Sequence, residues 1–519
     1  MYVNSIKLRL PAVFATLAPA DLLTISSNNG SPYTEDYSHL FDWIRPSAVR
    51  GYLSEFSADA LSPLHKAAAQ SNCLPASLTL KQIAQVLFGR CQIDPGGPSE
   101  FEILEPLMRC DTKSYQDGIK ILRWLCSHSP SSVVVDIALG DGQSVILLKN
   151  LKKRWPRLYA RWLIAVGGFH EHAHTMFALN EMFWEALGCR CCAIIGLTKV
   201  PKPIPSCPIS HPISHLPCPI PPLPKVFKVT KNLEHNNYAH VQQLHHVMTL
   251  AIVSYLIQDV VSPRPSLFLR DPELYLQQVD SATGIVLVRY LQYAGFPILQ
   301  WQRAGRRGDG WKLKKLFAYS FHVFRSVSHK PVCTQVALIA LLGFCCALPA
   351  LQTVLLVTVS LSMLGRMDSN MYVDRVLEYI NKIQQGAKRS AHAASFGRSL
   401  DLTTLLKVIM HVRHAFQAAE TGETESDDGF KASWLIMARL LQDELVRLLG
   451  RDLTIADPLN KMWHTGHAVP LDTGDFRSRK PWEWLWRSAD GRSAGKWRSR
   501  AESWFAFTYR FTKDHFFPF

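Results

Sequence analysis

Acidic side chains are the scarce class in this sequence. There are 42 Asp and Glu against 57 Lys and Arg, which leaves a formal net charge of +15 and a pI of about 9.3. That shortage disfavours a cationic partner and points to nucleic acid or an anionic surface, although a plain solvated basic exterior carries the same signature. A cysteine framework is also missing. The 12 cysteines are irregularly spaced with no repeated CxxC pair, which suits free thiols in a reducing compartment rather than a disulfide scaffold. Charge is absent altogether from Val332 to Leu364, a run long enough to span a bilayer. Pro349 lies in its middle and no second run of that kind exists, so the expectation is two buried helices breaking near Pro349. Near the N-terminus, Lys7 and Arg9 precede LPAVFATLAPADLL, which faintly resembles a secretory signal. Pro11 and Pro19 interrupt its apolar run and Asp21 closes it, so a true signal is not expected.

What is present is ample for folding. The chain has 519 residues, 47% hydrophobic and 19% charged, and two or three domains is the natural division. Composition divides it into an N-terminal region (1–95), a first core segment (96–200), a proline-rich linker or insertion (201–228), a helical insertion (229–365), C-terminal helices (366–460) and a basic, Trp-rich tail (461–519). Residues 22–65 are polar and turn-rich. Helices are expected over Leu78–Phe88, Tyr115–Cys126, Glu171–Leu187, His240–Ile257, Gly284–Tyr293, Trp311–Val327, Leu402–Glu420 and Ala432–Leu449.

The chain is organised around Val133 to His174. Val133, Val134 and Val135 read as a buried strand, and Gly140, Asp141 and Gly142 turn the chain. Ser144 is the expected N-cap of a helix over Val145–Trp155, with Lys149, Lys152, Lys153 and Arg154 facing water. Trp162–Val166 is a second strand that runs into Gly167-Gly168-Phe169-His170. An acid thus follows one strand and a histidine the next, where reactive groups gather in α/β sheets.

GDGQ, a helix, and then a strand ending in GGFH resembles the core of transposon-derived proteins with a ribonuclease H-like catalytic domain, including a family known mainly as a domain of unknown function. The resemblance implies that Asp141 stands at the second catalytic aspartate. It also sets His170 at the histidine of a Cys/Asp-x-x-His motif, with Gly167 where Cys or Asp is usual. The third acid of such proteins lies on a helix far downstream. Gly365–Lys388 fits that place, with Val373, Val376, Leu377, Ile380 and Ile383 as a buried stripe and Asp374, Glu378, Asn381 and Gln385 opposite. The implied fold is α+β and predominantly helical, a small ribonuclease H-like mixed sheet interrupted by a large all-α insertion between His170 and Met367. The implied chemistry is phosphodiester cleavage or strand transfer with Mg²⁺ or Mn²⁺ held by Asp141 and Glu378, acting on DNA in the nucleus or cytoplasm. No first aspartate is evident. Asp136 shares a strand with Asp141, and Asp94 and Asp111 lie in loop-like contexts. A domesticated, catalytically dead remnant that only binds nucleic acid fits the same residues.

Other patterns compete. His170–His174 reads HEHAH and matches the H-E-x-x-H zinc-protease motif, with Glu171 as general base, but Phe177 and Asn180 stand where the longer motif needs Gly and His. VVVDIALGDG is similar to the first motif of Rossmann-like methyltransferases, with Ala138 replacing a glycine, yet no strand–helix series follows it. Cys207, His211, His215 and Cys218 have zinc-ligand residue types, but they sit among ten prolines between Pro201 and Pro224, a poor cage. From Arg477 onward, ten Lys or Arg face four acids with Trp482, Trp484, Trp486, Trp497 and Trp504 interleaved. That suits phosphate contacts and base stacking, or tryptophans packed back on the body.

Overall fold

The computed structural model describes residues 6–9, 38–71, 75–89, 100–103, 115–127, 136–155, 162–184, 238–258, 265–276, 282–326, 331–362, 370–378 and 432–449. Helices dominate these residues, and the strands form three separate two-stranded pairs rather than one mixed sheet. Strand β1 (Ile6–Arg9) pairs antiparallel with β2 (Glu100–Ile103). The proline-rich segment, the helix expected over Leu402–Glu420, and the basic tail lie outside the described residues.

The N-terminal region departs from the expectation of turns. Helix α1 (Ser38–Ile44) is followed by α2 (Pro46–Gln70), 25 residues long. Pro46 sits in its first turn, where the missing N–H is harmless, and Pro63 lies inside it. Val49, Leu53, Phe56, Ala60, Leu61, Leu64 and Ala68 are buried at helical spacing beneath the polar residues that suggested a loop, so tertiary burial outweighs composition. Helix α3 (Leu80–Phe88) begins at a capping box in which Thr79 accepts from Gln82 N while the Gln82 side chain accepts from Thr79 N.

Helix α4 (Tyr115–Ser127) leads to β3 (Asp136–Gly140), α5 (Gly142–Arg154) and β4 (Trp162–Val166). Val133–Val135, the expected strand, lie outside the described residues, and the described strand begins at Asp136. β3 and β4 are parallel, with Asp136 opposite Trp162 and Gly140 opposite Val166. Leu122 of α4, Ala138, Leu151 of α5 and Trp162 form a small core against this pair. Two details differ from the sequence reading. Asp141, not Ser144, is the N-cap, its carboxylate accepting from Ser144 N at 2.8 Å. Lys149 is buried rather than facing water, while the side chains of residues 152–154 are not described.

The remaining helices wrap the core: α6 (Gly168–Phe183), α7 (Tyr238–Ile257), α8 (Pro265–Arg270), α9 (Pro272–Leu276), α10 (Ala282–Tyr290), α11 (Phe296–Arg307) and α12 (Gly310–Ser326). A π-helical turn, Leu291–Gly295, joins α10 to α11. Pro297 has no N–H for the carbonyl of Tyr293, and the buried Tyr319 hydroxyl donates to that carbonyl instead. The uncharged run folds as α13 (Pro331–Cys346) and α14 (Pro349–Thr358), broken at Pro349 as expected. Among the described residues, no helix is long and apolar enough to cross a membrane.

Strand β5 (Ser360–Ser362) pairs antiparallel with β6 (Asn370–Tyr372), which passes into α15, helical over 373–378. The expected helix over Gly365–Lys388 thus starts eight residues late, because Asn370–Tyr372 take strand pairing and Val373 N donates to Val359 O at 3.2 Å. Val373 and Val376 are buried as expected and Leu377 is partly so. Helix α16 (Ala432–Leu449) packs on α7, burying Met437, Ala438, Leu441 and Leu445.

Candidate functional site

The two parallel strands end side by side. Gly167 N donates to Gly140 O at 2.9 Å, which extends the ladder one step beyond the strands. Asp141 and Gly167 therefore sit as neighbouring N-cap residues of α5 and α6, and His170 lies in the first turn of α6. Four backbone N–H groups at such a helix start need acceptors, and the helix dipole favours an anion there. Asp374 supplies both, from more than two hundred residues downstream. Its Oδ1 accepts from Phe169 N at 3.0 Å and its Oδ2 from His170 N at 2.9 Å. Oδ2 also lies 3.0 Å from His170 Nδ1. An ionised carboxylate only accepts, so Nδ1 carries the proton and donates to it.

This geometry explains the glycine at position 167. A Cβ there would stand 2.3 Å from Asp374 Cγ, so the carboxylate fills the volume of any side chain. The same holds one residue on, where a Cβ at Gly168 would lie 2.6 Å from the Tyr372 ring. Glycines at both places let β6 and α15 approach the start of α6. The residue that the resemblance replaces, Cys or Asp at position 167, has its space taken by Asp374.

Beyond Asp374, His170 Nε2 lies 3.7 Å from Glu378 Oε1, and the imidazole is partly exposed, at 27%. Burial pushes the His170 pKa down. The Asp374 hydrogen bond and charge, with the charges of Asp141 and Glu378, push it up, and the net shift is upward. The structure thus brings Asp141, His170 and Glu378, three residues singled out in the sequence, to one place. It adds Asp374, which the sequence offered only as a member of the polar face around Glu378. Asn381 and Gln385 lie outside the described residues, as do Asp94 and Asp111, while Asp136 starts β3 at the end away from Asp141.

Such an arrangement can exchange a proton at Nε2, with Asp374 holding the ring from behind. It does not present a ready cage for Mg²⁺ or Mn²⁺, which take about six oxygens. Both Asp374 oxygens are taken by α6, one Asp141 oxygen holds Ser144 N, and Glu378 faces an imidazole that tends toward its cationic form. Among the described residues, no group of three or more His, Cys, Asp and Glu is placed to hold a metal ion. The H-E-x-x-H pattern fares no better. Glu171 is 2% exposed, and burial together with the Asp374 charge raises its pKa well above the usual carboxylate range, so it favours the neutral acid rather than a base. Comparison of the chain with protein-family profiles, with curated proteins and with solved structures finds no match.

Proposed function

We propose that the chain is a transposon-derived, nucleic-acid-directed protein. In this reading its ribonuclease H-like core has turned a catalytic corner into a fixed clamp, and it works as a DNA-binding module in the nucleus or cytoplasm. The observation that carries the reading is Asp374. A carboxylate delivered to the ends of two parallel strands, where the resemblance expects acids to bind metal, gives both oxygens to the N-terminus of α6. The net charge of +15 supplies the attraction to phosphate. A second reading, metal-dependent phosphodiester cleavage or strand transfer with Mg²⁺ or Mn²⁺, is favoured by Asp141 and Glu378 both bearing on His170.

One experiment separates them. The full chain and Glu378→Gln are titrated against labelled DNA over a range of salt, and both are incubated with supercoiled plasmid and Mn²⁺ or Mg²⁺. The binding reading expects affinity that falls linearly in log salt for both proteins, with no nicking above a protein-free control. Metal-dependent nicking that Glu378→Gln abolishes would establish the second reading instead. Absence of DNA binding at low salt would remove both.

A further inference from the structure

We draw no further inference here: the strongest candidate, the side-chain cluster of His170, Asp374 and Glu378 at the ends of β3 and β4, belongs to the site already described.

Discussion

Asp374 and His170 are 204 residues apart in the chain, yet Asp374 Oδ2 accepts from both the backbone N of His170 and its Nδ1, at 2.9 and 3.0 Å. One buried carboxylate thus caps α6, orients the imidazole and ties the β5–β6 hairpin to the ends of β3 and β4.

Asp374→Asn removes the charge and turns an NH₂ toward at least one donor. The loss is expected to be roughly 2–3 kcal/mol, the scale of charge-assisted hydrogen bonds at a buried site. Urea unfolding measures it, and proton NMR of His170 in the variant should give a lower pKa than in the parent. Unchanged stability together with an unchanged His170 titration would refute the clamp.

Gly167→Ala sets a methyl within 2.3 Å of Asp374 Cγ and 2.5 Å of its Cβ. A destabilisation of about 1–3 kcal/mol is expected, typical of overpacking. Adding Asp374→Gly removes the atoms in conflict, so the double variant should lose less than the sum of the two single changes. Strict additivity in thermal unfolding would show that the two positions do not collide.

Stability should fall in acid. His172, His245, His246 and His322 are buried, and burial pushes each pKa from 6.5 down to about 3. These four are neutral in the fold and would charge on unfolding. Their contribution is complete above pH 6.5 and is lost as pH drops from there toward 3. His170 has the opposite sign. Its raised pKa gives a contribution that is full below pH 6.5 and lost as pH rises through its folded value. Thermal melts from pH 8 to pH 4 should show a clear net fall on the acid side, and a flat or rising profile there would contradict the burial of these rings.

His246→Leu should stabilise the protein. Both ring nitrogens are buried without a hydrogen-bond partner among the described residues, between Phe88 at 4.8 Å and Trp434 at 5.7 Å. A neutral imidazole must keep one N–H, and leaving it unsatisfied costs about 1–3 kcal/mol. Chemical denaturation of the variant measures the gain, and a lower midpoint would mean that a partner such as a bound water meets the ring.

Local patterns in the sequence determined the elements whose signals are local. Trp162–Val166 is a strand because five apolar residues lie between turn signals, and all five are buried. Ala432–Leu449 is a helix because its apolar residues recur at helical spacing. The uncharged run breaks at Pro349 because proline starts a helix far better than it continues one. That Asp141 and His170 follow neighbouring strand ends was also legible, since a short helix links the two strands. The tertiary structure decided whatever depends on a distant partner. Composition around Pro46–Gln70 reads as turns, and only packing against α8, α11 and α12 makes it a helix. The sequence pattern stops a helix at Tyr293, whereas a buried π-helical turn, Leu291–Gly295, carries the chain on into α11. Asp374 reads as one polar residue on a helix face. Its role as the clamp of His170 appears only when β6 is pinned against Val359 and Gly168, because a carboxylate's function is set by the donors that fold around it, and these lie two hundred residues earlier in the chain.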